Sequence, residues 1–126
     1  MLVADDNEAN RKILTLLLAK IGLHVEFVCN GAEACSLWAV QHFDLVLLDI
    51  SMPVMGGLEA LARMQTESAQ QDRLPPKAVA VTANVMREQL ATYRAAGFLD
   101  VISKPISRTD LEATLLRHIV CNNSLA

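Results

Sequence analysis

The chain reads as a doubly wound α/β domain built on a parallel sheet. Three observations predict it. Short apolar runs of strand length recur along the sequence, helix-length segments separate them in strict alternation, and the runs VLL (46–48) and VAV (79–81) are apolar without a break. Such alternation gives a parallel sheet covered on both faces, and unbroken apolar runs belong to central strands buried twice. At 126 residues the chain is expected to form one domain, long enough to bury a core without staples. Hydrophobic residues make up 52% of it, which excludes a disordered segment. Net charge is −3, the pI is about 5.5 and no basic block occurs, so direct nucleic-acid binding is not expected.

The elements follow in order. Strand one, LVA (2–4), stops at Asp5 and Asp6; a helix starts after Asp6 or Asn7, either of which can cap it. That helix runs from about Glu8 to Ile21, with Ile13, Leu14, Leu17, Leu18 and Ile21 as its apolar stripe and Gly22 as its C-cap. Leu16 lies off the stripe, beside Lys12 and Lys20. HVEFV (24–28) is strand two, and Ala32–His42 is helix two, carrying Leu37, Trp38 and Val40. DLVLLDI (44–50) is strand three, followed after Gly56–Gly57 by helix three, Leu58–Glu67. The polar stretch 66–77 ends in Pro75–Pro76, which forbids helix continuation and resets the chain for strand four, AVAVTA (78–83). Helix four, Val85–Ala96, ends at Gly97; strand five is LDVISK (99–104). Helix five, Arg108–Val120, is capped by Ser107 and carries Leu111, Leu115, Leu116 and Ile119 on one stripe.

The domain is thus expected over 1–121, with 122–126 a tail. Strand one opens almost at Met1, which suggests a domain cut from a longer chain, a short natural protein being the alternative. Cys29, Cys35 and Cys121 lack metal-ligand spacing and read as reduced, buried filler in a cytosolic compartment. His24, His42 and His118 share no ligand spacing, and Trp38 and Met64 read as core. No apolar run reaches membrane-spanning length.

In doubly wound sheets ligands sit beyond the carboxyl ends of the strands. There strand one delivers Asp5 and Asp6, strand three Asp49, strand four Thr82 and strand five Lys104. Independent accidents would scatter such polar groups over both ends. Carboxylates gathered in one pocket repel, and a hard dication relieves that. Mg²⁺ prefers oxygen ligands and keeps several waters. Asp6 and Asp49 are the candidate direct ligands, and Asp5 can hold a metal-bound water. Asp49 keeps an oxygen able to attack phosphorus, Lys104 supplies a fixed cation and Thr82 a hydroxyl donor.

VADDN (3–7), LLDISMPVMGG (47–57), VTAN (81–84) and SKP (103–105), in that order, resemble the receiver domain of the two-component response regulators over nearly the whole chain. The resemblance implies a flavodoxin-like sheet of order 2-1-3-4-5 with five helices. It implies that Asp49 accepts phosphate from a histidine kinase or histidine phosphotransfer protein, with Mg²⁺ as cofactor. Asp6 and Asp49 would then be direct metal ligands, Asp5 a ligand through water, and the Ser51 backbone carbonyl a further one. Thr82 and Lys104 would contact the phosphoryl oxygens, and the Lys104–Pro105 bond would be cis. A receiver catalyses its own phosphorylation and dephosphorylation and is not a stand-alone enzyme.

One departure from the family pattern matters. Receivers often carry Tyr or Phe three residues before the lysine, a ring that turns inward as the threonine moves. Here that residue is Val101. The acceptor site is expected intact, and the surface of helix four, strand five and helix five is expected to change little on phosphorylation. That suits a relay better than a switch. The opening VADDNEANRKI, the stretch 66–77 and the abrupt start also resemble receivers of hybrid sensor kinases, which implies a cytoplasmic domain, either free or the cytosolic part of a membrane-bound sensor kinase, with no membrane contact of its own. An aspartate-nucleophile phosphatase of haloacid dehalogenase type is the rival enzyme, but it needs a second Asp where this chain has Ser51. A flavin-binding electron carrier lacks support, because no Ser/Thr/Gly-rich loop follows strand one. A non-phosphorylated binding module would have lost an acidic residue or Lys104, and none is lost.

Overall fold

A computed structural model describes residues 1–22 and 24–120, with side chains as far as His118. Cys121, the tail at 122–126 and the Ile119 side chain lie outside the described residues. Five parallel strands run in the order β2-β1-β3-β4-β5: β1 Leu2–Ala4, β2 Glu26–Val28, β3 Val46–Asp49, β4 Ala78–Thr82 and β5 Asp100–Ser103. The helices are α1 Glu8–Ile21, α2 Gly31–Val40, α3 Gly57–Gln70, α4 Arg87–Ala96 and α5 Arg108–Leu115, the last passing into a π-helical turn over Leu116–Val120.

Side chains alternate across a strand, so each strand feeds two cores. Leu2, Ala4, Val46, Leu48, Ala78 and Ala80 face α2, α3 and α4, where Trp38, Leu61, Met64 and Tyr93 cover them. Val3, Leu47, Val79, Val81 and Ile102 face α1 and α5, meeting Leu14, Leu18, Leu111 and Leu115. Each fully buried Leu in these layers contributes about 2 kcal/mol by leaving water. β3 and β4 are buried along their whole length, as their unbroken apolar runs require.

Several sequence expectations need correction. The α1 stripe is narrower than five residues: Leu14 and Leu18 are buried, Leu17 is partly so, and Ile13 and Ile21 are exposed. α1 lies over a sheet only a few residues deep, so one residue per turn reaches the core. Val40 and Leu116 are exposed as well. α3 runs three residues beyond Glu67, because no helix breaker intervenes before the prolines. Strands two to five are shorter than their apolar runs, and β2, at the sheet edge, is only half-buried. Cys35 is buried and its thiol is pushed up to about 11, chiefly by burial, but Cys29 is exposed and fills no core.

Candidate functional site

β1 does not release the chain at Ala4. The Asp5 N–H still bonds the Val28 carbonyl at 3.1 Å, which holds Asp5 in the sheet and buries it. Its Oδ1 accepts the Asn7 N–H at 2.9 Å, and the Arg11 guanidinium donates to its backbone carbonyl at 2.7 Å. Asn7, not Asp6, caps α1, its Oδ1 accepting the Asn10 N–H at 3.1 Å. Capping therefore leaves both aspartates free of that duty, with Asp6 exposed beside the buried Asp5.

Asp49 is the last residue of β3, registered opposite Val81, and only 2% exposed. Its Oδ1 accepts the Ser51 N–H at 3.2 Å and its Oδ2 the Lys104 ammonium at 2.6 Å. Burial is the largest influence on its carboxyl and holds it above the ordinary value. The Lys104 ammonium and the Ser51 N–H pull the other way, and the nearby Asp5 charge adds to the rise. The loop beyond is tightly built. A γ-turn links the Met55 N–H to the Pro53 carbonyl at 2.7 Å, with Val54 at φ 68°, a strained setting for a β-branched residue. The start of α3 then presses on the end of β3: a Cβ on Gly57 would lie 2.6 Å from the Asp49 carbonyl oxygen.

Thr82 ends β4 and is buried. Its Oγ1 accepts the Asn84 N–H at 3.0 Å and lies 3.3 Å from the Tyr93 hydroxyl. Its carbonyl accepts the Lys104 N–H at 2.9 Å, which ties β5's exit to β4. The Lys104–Pro105 peptide is cis, as the family pattern implied.

The predicted residues therefore converge. Carboxylate oxygens of Asp5, Asp6 and Asp49 lie within 4.8 Å of one another, with Lys104 on Oδ2 of Asp49 and Thr82 at the neighbouring strand end. Hard oxygen donors at this spacing, with one lysine in direct contact, fit a divalent cation of the Mg²⁺ type. Sequence reasoning missed Tyr93. It is the chain's single tyrosine and stands three residues after Leu90, the i,i+3 spacing of an inward helix face, which was the available signal.

The fold is that of the CheY-like receiver domains. The structure matches the Vibrio cholerae chemotaxis protein CheY4 with a TM-score of 0.82 at 26% identity, covering 94% of this chain and 96% of that one. Residues 1–116 match the response regulator receiver domain, so the chain belongs to that family and is a receiver of two-component phosphorelays. It is 37% identical over 127 residues to the sensory/regulatory protein RpfC of Xanthomonas campestris pv. campestris, covering all of this chain and 17% of that protein. It is 35% identical over 120 residues to hybrid signal transduction histidine kinase G of Dictyostelium discoideum, covering 94% of this chain and 3% of that protein. The chain thus spans less than a fifth of either relative's length.

Two further solved structures bear on the site. The receiver domain of sensor histidine kinase PA1611 from Pseudomonas aeruginosa, with a magnesium ion in its active-site cleft, matches with a TM-score of 0.82 at 27% identity over 94% of both chains. The Saccharomyces cerevisiae receiver domain of Ssk1, solved with the histidine phosphotransfer protein Ypd1, belongs to a complex that matches with a TM-score of 0.88 at 25% identity, over 93% of this chain and 86% of that one.

Proposed function

We propose that Asp49 is the phosphoacceptor and that the phosphoryl group comes from a phosphohistidine on a histidine kinase or histidine phosphotransfer protein. The observation that carries this reading is the Lys104 ammonium 2.6 Å from one oxygen of a buried aspartate whose neighbours are two more carboxylates. An Asp49 carboxylate oxygen forms the new bond to phosphorus. The phosphorus–nitrogen bond of the donor breaks, its electron pair returns to the imidazole, and the imidazole takes up a proton. Lys104 neutralises charge on the equatorial oxygens, and Thr82 offers its hydroxyl to one of them.

Mg²⁺ is the fitting cation. Asp6 and Asp49 would hold it directly, Asp5 would do so through a water, and the Ser51 carbonyl would be the further protein ligand. Bound there, it would offset the carboxylate repulsion and the phosphoryl charge. The magnesium-bound PA1611 receiver supports the choice of metal. The Ypd1 complex supports a phosphotransfer protein as donor, and exposed Ile13 and Leu16 offer it an apolar footing on α1, the helix that follows Asp5 and Asp6 in the chain. Kinship with hybrid signal transduction histidine kinase G supports a receiver carried by a hybrid kinase.

The test is intact mass after incubation with acetyl phosphate and Mg²⁺. Wild type gains one phosphoryl group, and Asp49→Asn gains none. Equal labelling of the two proteins refutes the assignment. Asp6→Ala weakens Mg²⁺ binding in calorimetry more than Asp5→Ala does, because only Asp6 loses a direct ligand.

A further inference from the structure

We propose that Tyr93 of α4, in place of a ring on β5, couples the phosphoacceptor site to the rest of the molecule. Its hydroxyl holds Thr82 in the uncharged state and gives it up when Asp49 is charged. The inference rests on the reading of Asp49 as acceptor.

The argument begins with one proton. A threonine hydroxyl has a single donor and two acceptor positions. Thr82 Oγ1 already accepts from the Asn84 N–H, and the Asn84 carbonyl and the Tyr93 hydroxyl stand at 3.5 and 3.3 Å. Thr82 and Tyr93 are 6% and 2% exposed, so neither hydroxyl can exchange its partner for bulk water. A phosphoryl group on Asp49 brings three strong acceptor oxygens to the adjacent strand end. Once Thr82 turns its proton toward one of them, it donates to neither Asn84 nor Tyr93. The Tyr93 O–H can still donate to the remaining acceptor position of Oγ1, so the coupling is one of position: as Oγ1 is drawn toward the phosphoryl oxygen, a contact already at 3.3 Å lengthens, and the buried tyrosine hydroxyl follows it or finds another partner.

Tyr93 is placed to transmit that rearrangement. Its ring meets Phe98 edge-on, centroids 6.5 Å apart at 86°. Its backbone carbonyl accepts the Gly97 and Phe98 N–H groups that turn α4 into β5, with Gly97 at φ 109°. Ring and carbonyl of one residue therefore grip both the threonine and the turn. Val101 packs against the same core cluster and also lines a shallow cavity of about 290 Å³ beside Val85 and Leu90. The β5 position thus carries no ring, and the ring reaches the threonine from the helix. The coupling departs from the expectation drawn from Val101 alone, that the surface beyond Thr82 changes little.

The route is specific. It runs from Thr82 to residues 90–98 and leaves α5 aside. Because the chain has one tyrosine, ¹³Cζ-tyrosine labelling gives one signal. Wild type with Mg²⁺ and beryllofluoride, an aspartyl-phosphate mimic, should move that signal and the amides of 90–98, with residues 108–115 still. In Tyr93→Phe the ring stays and the hydroxyl goes. Beryllofluoride should bind about two- to tenfold more tightly, the scale of one neutral hydrogen bond no longer surrendered, and the 90–98 shifts should shrink. A tyrosine signal that stays put while amides beside Asp49 move overturns the coupling alone, as does a Tyr93→Phe affinity equal to wild type. Failure of wild type to take up phosphoryl from acetyl phosphate refutes Asp49 as acceptor first, and the coupling with it.

Discussion

The two ends of the sheet carry similar inventories and opposite chemistry. At the amino end a cavity of about 390 Å³ is lined by Trp38, Phe43, Arg73, Pro75 and Pro76 among others. Of the cations that line it, Lys77 and Arg73, the second is fully employed. Arg73 donates to the Trp38 carbonyl at 3.0 Å and to those of Ala39 and Gln41 at 3.4 Å, and its guanidinium stacks 3.9 Å above the Trp38 ring. It closes the carboxyl end of α2, where carbonyls and the helix dipole favour a cation. At the carboxyl end Lys104 meets one carboxylate of a cluster of three. The hollow at the amino end is a packing feature, and the site lies where negative charge outnumbers its partners.

Exchanging the two cations for alanine is the strongest way to break this comparison. Lys104→Ala should lower the rate of phosphoryl uptake from acetyl phosphate by about a hundredfold or more, the effect of deleting one preorganised charge donor. Arg73→Ala should leave that rate within about twofold and lower unfolding stability by roughly 1–3 kcal/mol, through lost hydrogen bonds and the cation–π contact. Denaturant melts alongside uptake rates decide it, and a fall in uptake with Arg73→Ala would erase the distinction between the ends.

Gly57→Ala sharpens the comparison next, because it acts on the carboxyl end through packing. The added Cβ meets backbone, the Asp49 carbonyl oxygen at 2.6 Å and Ile50 Cα at 3.2 Å, and neither can swing aside. A loss of about 1–3 kcal/mol is expected, with slower uptake because the acceptor's own backbone must move. Stability lost without any change in uptake would mean that the β3 end tolerates displacement.

Much of this end was legible in the sequence. Asp5, Asp6, Asp49, Thr82 and Lys104 could be placed because the strand that carries each ends in polar residues, and the sheet's order brings those ends together. Helix faces were less legible. Ile13, Ile21 and Leu116 have the right spacing for burial yet are exposed, since periodicity finds a face but not how much of it a short sheet covers. Tyr93 escaped because its role depends on a contact between α4 and β4, and no local pattern encodes the distance between two elements. The duty of Asn7 was open for a related reason: Asp6 and Asn7 are equally good caps, and Asp5's place in the sheet decides between them.

The smallest expected effect is a difference in pH dependence between the ends. Burial, opposed by Lys104 and Ser51 and assisted by Asp5, raises the Asp49 carboxyl above its ordinary value. A group that binds its proton more tightly when folded stabilises the fold most below the ordinary carboxylate range. It loses that contribution as pH rises through its folded value. In EDTA, wild type should therefore lose stability relative to Asp49→Asn as pH rises from about 4 toward neutrality, the difference levelling off once Asp49 is fully ionised. Mg²⁺ should reduce the difference at neutral pH, because a bound cation favours the ionised carboxylate. Asp44→Asn at the amino end is the control. Asp44 pairs with His42 at 3.2 Å, but their side chains are 79% and 84% exposed, and an ion pair in water contributes little. Its stability profile should follow wild type throughout. Should Asp49→Asn follow wild type as well, burial would not set the protonation of the acceptor, and the contrast between the two ends would rest on charge count alone.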